Sequence, residues 1–413
     1  MASTGATFKA LRGAGRGPSP EKELLASILR RKMEVMYTRL LNPPNSSFFL
    51  FGARGTGKTT WLKQFFPKAQ WFNFLDEALF QEILVSPHVF SERLRSLTPG
   101  QWVVVDEVQR LPNLLNEVHR GIEDFKLNFV LTGSSARKLK KAGVNLLAGR
   151  ARLRTMLPFL PRELKEDFNI EAILRWGSIP LIWNAEDKDE ILQAYVQTYI
   201  REEIQAEALT RNLAGFARSL PVSALFNGQV LNTSSLSRDA EVQRKTAEAY
   251  VQILEDTLLV KKLWPYEAKV MVREPKKPKL YWVDPGIVRA AKGVRGPLSQ
   301  EERGGLFEAY VFSMIRHELE NTRSYSEVFY WASASLKTEV DFLLLSDRGI
   351  HALEVKSTSK LRQEDFKGLR ALKDLQGLKR RIIVYLGEVE RRTEDGIEIL
   401  PLQIFDQALA AGL

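Results

Sequence analysis

The chain has 413 residues, 44% hydrophobic and 27% charged, with a formal net charge of +10 and no cysteine. That length suggests roughly two to four domains, and the missing cysteine excludes disulfides, thiolate catalysis and Cys-based zinc or iron–sulfur sites while fitting a reducing, cytoplasmic setting. The positive balance points to an acidic partner, nucleic acid first, or to a basic surface that serves solubility alone.

Residues 1–20 carry no apolar signal segment and read as a mobile basic tail. Glu21 to Leu41 reads as an amphipathic helix, broken by Asn42-Pro43-Pro44-Asn45. Phe48-Phe49-Leu50-Phe51 has the shape of a buried parallel strand. Gln70 to Leu75, Trp102 to Val105, Asn128 to Thr132 and Arg152 to Leu157 read as further strands alternating with helices, which predicts a doubly wound α/β core over 21–160. Residues 161–220 are helix-rich and read as a lid. Residues 221–291 offer a short helix, a turn at Glu241-Val242, a second helix, a strand from Leu259 to Leu263, a charged tip and a closing Leu280-Tyr281-Trp282, the order of a winged helix. Lys292 to Ser299 reads as a linker, and 300–413 starts a new α/β pattern. There are no internal repeats, and no stretch nears the ~18 apolar residues of a membrane span, so no membrane partner is expected.

Gly52-Ala53-Arg54-Gly55-Thr56-Gly57-Lys58-Thr59, followed by Thr60, matches the phosphate-binding pattern G-x-x-x-x-G-K-S/T between a predicted strand and a predicted helix. Its glycines let backbone N–H groups curl around phosphates, and the helix points its positive end at the anion. Lys58 is expected on the β and γ phosphates of ATP and Thr59 on Mg²⁺. Val103-Val104-Val105-Asp106-Glu107 is an apolar strand ending in two acids: Asp106 to hold Mg²⁺, Glu107 to polarise the attacking water. Ser134, after the next strand, is a candidate γ-phosphate sensor. Arg150 is either an arginine finger serving a neighbouring subunit, which implies a homo-oligomer, or a surface arginine.

In the middle region, Arg244, Lys245 and Thr246 stand at the start of the second helix, where such motifs grip DNA, and the tip offers Arg273, Lys276, Lys277 and Lys279. The alternative is a winged helix used for packing or protein contact. In the C-terminal region, Glu339-Val340-Asp341-Phe342 precedes Leu353-Glu354-Val355-Lys356, and Glu354 and Lys356 share one face of a strand. An acid followed by acid-x-Lys on adjacent strands is the PD-(D/E)xK nuclease arrangement, with Asp341 and Glu354 as Mg²⁺ ligands, Glu308 completing the cluster and Lys356 activating water. A solvated, salt-bridging face is the alternative.

These motifs together resemble a large bacterial and archaeal family of AAA-type ATPases with a C-terminal restriction-endonuclease-like domain. The resemblance rests on Gly52 to Thr59, Asp106 to Pro112, Thr132-Gly133-Ser134-Ser135, Leu147-Ala148-Gly149-Arg150, Tyr199 to Glu207, Ile253 to Leu258, Glu339 to Phe342 and Leu353 to Lys356. It implies an ATPase core, a helical lid, a winged helix and a nuclease-like end. It also implies a second nucleotide sensor at Arg201 or Arg211, and the family's Tyr-Trp-Arg run stands here as Tyr330-Trp331-Ala332. The leading expectation is an ATPase that remodels or translocates on DNA, branched or single-stranded. An ATP-dependent nuclease and a slow nucleotide switch recruiting protein partners in defence or regulation are the rivals.

Overall fold

The computed structural model describes residues 37–133, 150–200, 212–266, 277–333 and 335–413. The tail expected at 1–20, most of the first helix, Ser134, Ser135, Leu147 to Gly149, Arg201, Arg211, Arg273 and Lys276 lie outside them. The chain divides into two units, Met1–Thr38 and Arg39–Leu413, and every described helix and strand belongs to the second.

Phe48–Phe51 (β1) is buried at all four positions, as a central parallel strand requires. It is followed by α1 (Lys58–Phe65), β2 (Gln70–Asn73), α2 (Glu77–Val85), α3 (His88–Arg95), β3 (Trp102–Asp106), α4 (Leu115–Glu123), β4 (Asn128–Gly133) and β5 (Arg152–Thr155). The five strands form one parallel sheet in the order β2-β3-β4-β1-β5. Successive strand residues face opposite ways, so Phe49, Phe51, Val103 and Val105 join Phe72 and Phe90 on one side. Phe48, Leu50 and Val104 pack with Trp61, Leu62 and Phe66 on the other. The order sets the carboxyl ends of β1, β3 and β4 side by side, where open α/β sheets bind ligands.

The helix expected to reach Leu41 does not: from Arg39 to Leu41 the backbone is non-helical. Pro43 and Pro44 disfavour helix just ahead of them, and Arg39 and Leu40 are both drawn onto the Glu163 carboxylate.

Four short helices come next: α5 (Pro161–Leu164), α6 (Ile170–Trp176), α7 (Pro180–Trp183) and α8 (Lys188–Ala194). The helix α9 (Leu213–Leu225) then runs through Pro221, so the division expected at 220/221 falls inside a helix. Its apolar face explains the continuity: Phe216 meets Tyr250 edge-on at 5.3 Å between ring centroids, which ties α9 to the middle region of the chain. Next come β6 (Gln229–Val230), α10 (Thr233–Asp239), α11 (Arg244–Asp256), β7 (Val260–Leu263) and β8 (Lys279–Trp282). Asn232 caps α10 by accepting the Ser234 and Ser235 N–H groups. The three strands form an antiparallel sheet in the order β6-β8-β7.

Asp284 caps α12 (Pro285–Ala291), accepting from Ile287 N at 3.2 Å and also from Ser178 N at 2.7 Å. It therefore fastens the residues between α6 and α7 to α12. Burial pushes its carboxyl up to about 6, although the backbone N–H groups favour the charged form.

The remaining elements are α13 (Gln300–His317), β9 (Glu327–Ser333), β10 (Thr338–Ser346), β11 (Gly349–Lys356), α14 (Lys367–Ala371), β12 (Leu378–Tyr385), β13 (Arg391–Arg392), β14 (Glu398–Pro401) and α15 (Leu402–Ala411). Their sheet runs β13-β14-β12-β11-β10-β9, with a β10–β11 hairpin and a parallel β11–β12 pair joined across α14. Past β7, Trp264 O accepts from Tyr330 N at 3.1 Å and Tyr266 N donates to Tyr330 O at 2.7 Å, so backbone bonds stitch this segment to β9. Among the described residues no helix is long and apolar enough to cross a membrane.

Candidate functional site

β1 delivers the chain into a loop whose geometry only glycine tolerates. A Cβ on Gly52 would stand 2.5 Å from the Met156 carbonyl oxygen, and Gly55 and Gly57 have φ of +81° and +88°. The Lys58 ammonium lies within this loop and donates to Gly52 O at 2.7 Å and Ala53 O at 3.4 Å. Thr59 Oγ1 donates to Asp106 Oδ2 at 3.1 Å, joining the start of α1 to the end of β3. Arg54, Thr59 and Thr60 are exposed, whereas Asp106 is buried.

Glu107 sits at φ +59°, outside the ordinary range for a glutamate, at the point where β3 stops. Its carboxylate accepts from the Gln109 side-chain amide. That amide packs against Gly133 at the end of β4, where a Cβ would be 2.1 Å from Gln109 Oε1. Gln109 thus links the second acid of β3 to the neighbouring strand.

The loop is held from two sides by residues no motif singles out. Arg39 donates to Thr56 O at 2.8 Å and pairs with Glu163 at 2.9 Å, both side chains nearly buried. From the helical region, Leu181 N donates to Gly55 O at 3.2 Å and Tyr195 OH to Arg54 O at 2.9 Å. Only Gln109 had a local signal, two residues beyond Glu107. Arg150 is ion-paired with Glu123 of the same chain, and the pair lies at the surface. The Arg150 hydrogen bond holds the Glu123 carboxyl below its usual range.

The C-terminal residues converge differently from expectation. Asp341 Oδ2 accepts from Val355 N at 2.8 Å, and Glu354 pairs with Lys356 at 2.7 Å on one face of β11. Glu308 reaches in from α13 and accepts from Tyr281 OH. A second cation among these acids is Lys279, expected on DNA: its ammonium is 3.4 Å from Glu308, 3.4 Å from Glu339 and 3.7 Å from Asp341, with the residue 2% exposed. That corrects its place. On β8, the Trp282 indole donates to Ser223 O on α9, and the alternation of a strand turns Lys279 and Tyr281 to the other face, onto Glu308 of the C-terminal region. Of the trio expected to hold a metal ion, Glu308 and Asp341 face Lys279, whereas Glu354 pairs with Lys356. Burial raises the Glu308, Asp341 and Glu354 carboxyls, with neighbouring acids adding to it.

Of the other residues expected on DNA, Arg244 and Lys245 are exposed at the start of α11, with Arg244 paired to Glu248 at 3.0 Å. Thr246 is half-buried, and Lys277 is exposed.

Residues 44–165 match the AAA domain family. With the P-loop at the carboxyl end of a parallel sheet, that decides the first part of the molecule. This region is an AAA-like α/β core. Residues 167–298 match a domain of unknown function, DUF8612, and 303–405 another, DUF4143. The chain is similar to the uncharacterized protein Rv2008c of Mycobacterium tuberculosis, 26% identical over 75% of this chain and 70% of that one. It is similar also to the uncharacterized protein MJ1544 of Methanocaldococcus jannaschii, 24% identical over 91% of this chain and 90% of that one. Among solved structures, the Walker-type ATPase PABY2304 of Pyrococcus abyssi aligns at 16% identity and TM-score 0.39 over 66% of this chain and 95% of its own. The Orc1 protein of Aeropyrum pernix, solved in complex with DNA, aligns at 14% and 0.30 over 67% and 93%. The AAA-type assignment rests on the family match over 44–165 and on the site.

Proposed function

We propose that the chain hydrolyses ATP in its AAA-like core and uses that cycle to remodel or move on DNA. The observation that carries the first half is the convergence of Lys58, Thr59, Asp106 and Glu107 at the ends of β1 and β3. A hydroxyl beside a carboxylate is the hard-oxygen donor set that suits Mg²⁺, and Thr59 with Asp106 would hold it; when bound, the ion neutralises phosphate charge. Lys58, already dehydrated among carbonyl oxygens, exchanges them for phosphate oxygens. Glu107 orients water once Gln109 releases it. Arg150 is proposed to serve a neighbouring copy in an oligomer, exchanging Glu123 for the phosphate of that copy.

The second half is supported by the order α9, β6, α10, α11, β7, β8, which we read as a winged helix, by the exposed Arg244 and Lys245, and by the net charge of +10. The C-terminal sheet, a hairpin followed by a parallel pair beneath α13, supports the restriction-endonuclease-like reading of that region. In this arrangement its residues do not fit a divalent ion, since an ammonium stands among the acids, and no cleavage step is assigned to it.

The test is ATP turnover by wild type and Glu107→Gln with single-stranded, duplex and four-way-junction DNA. Stimulation by one form, lost in Glu107→Gln and weakened by salt, is expected. Turnover that no DNA changes refutes the DNA half. The grip of Gln109 on Glu107 favours a second reading, a slow switch that recruits protein partners. Under it, turnover stays low with every DNA, and Gln109→Ala raises it.

A further inference from the structure

Lys279 belongs to the middle sheet, yet its ammonium lies 3.4–3.7 Å from each of Glu308, Glu339 and Asp341. A divalent ion held by Glu308 and Asp341 with oxygens at ~2.0–2.6 Å would lie between the same two carboxylates. The strand carrying the lysine is not loosely laid there. Tyr281, two residues on, donates to Glu308 and packs on Phe312 and Phe342 at 4.6 and 5.8 Å between centroids. Asn227 ties both parts, donating to Gly305 O at 2.8 Å and accepting from Trp282 N at 3.0 Å.

We propose that Lys279 is a resident cation of the C-terminal carboxylate site, seated between Glu308 and Asp341, a lock by which the middle sheet keeps that site closed to divalent metal. Glu308 and Asp341, two of the acids expected to hold an ion, are neutralised from within the chain, so ion and lysine exclude one another. Burial alone would push the ammonium towards its neutral form, but Glu308, Asp341 and Glu339 outweigh it and keep Lys279 charged. The lysine ammonium must therefore leave these carboxylates before an ion can enter. The inference rests on the nuclease-like reading of 300–413, and its test reads metal binding and not cleavage, so an open site that does not cut is told apart from a lock that does not exist.

The experiment counts bound Mn²⁺ by electron paramagnetic resonance in nucleotide-free protein carrying Thr59→Ala and Asp106→Asn, which silence the ATP site. In that background no Mn²⁺ is expected at the C-terminal site, and Asp341→Asn changes nothing. Lys279→Ala gains one Mn²⁺ per chain, lost again with Asp341→Asn, while Lys279→Met, which fills the space without charge, gains none. Mn²⁺ bound with Lys279 intact and lost in Asp341→Asn overturns the lock, as does a folded Lys279→Ala that binds no extra ion. If Lys279→Ala folds only with Mn²⁺ present, the same coupling is read as stability. Unfolding that millimolar Mn²⁺ does not relieve counts against it.

Discussion

Arg39→Ala is the sharpest test of how the nucleotide loop is held. The substitution removes the donor to Thr56 O and the partner of Glu163, in a pair whose side chains are 9% and 1% exposed. Glu163 keeps its bonds from Leu40 N and Leu160 N but loses its countercharge. Removing one partner of a buried pair costs about 3–5 kcal/mol, whereas an exposed pair is worth at most ~1 kcal/mol. At ~2–4 °C per kcal/mol for a unit of this size, thermal melts should fall by on the order of 10 °C. ATP affinity should fall too, because the Thr56 carbonyl loses its anchor. Arg39→Lys should recover only part, since an ammonium does not reproduce the guanidinium fork. A loss below ~1 kcal/mol in Arg39→Ala, with nucleotide affinity unchanged, would refute the claim that this residue props the loop.

Two further outcomes concern the middle of the chain. A Cβ on Gly286 would meet the Trp176 carbonyl oxygen at 2.1 Å and its carbon at 2.3 Å, both backbone atoms. Gly286→Ala should therefore lower stability in urea melts by about 3 kcal/mol, the upper end of overpacking costs, and equal stability would mean α12 can slide. Asp284 sets a pH dependence. Its carboxyl is raised from 3.8 to about 6 in the fold, so the native state holds this proton more tightly than the unfolded chain. Its contribution is greatest below pH ~4 and declines up to pH ~6, by about 3 kcal/mol at ~1.4 kcal/mol per unit. Urea unfolding of wild type against Asp284→Asn across that window should show the difference moving against wild type as pH rises; a constant difference would dismiss the assignment.

What the sequence disclosed well was local. The P-loop, the acids ending β3 and the strands around them lie in continuous runs whose chemistry depends on near neighbours. Arg39 could not be read the same way: its partner Glu163 is 124 residues on, and nothing in the run Tyr37 to Asn45 marks it. Lys279 illustrates a second limit. Beside Lys277 in a basic stretch it reads as a surface charge, yet the strand it opens is covered on both faces. Its position was decided by acids 29 and 60 residues away. The end of α9 was hidden for a different reason, since Pro221 punctuates the sequence without ending the helix.

The two backbone bonds between Tyr330 and Trp264–Tyr266 bear on any attempt to study the C-terminal region alone. Cleaving the chain within 292–299 would strip β9, the outermost strand of its sheet, of these partners. An uncovered strand edge invites pairing with other molecules, and the same cut would bare the carboxylates that Lys279 now neutralises. An excised 300–413 fragment would self-associate and bind cations without restraint, properties of the cut rather than of the protein.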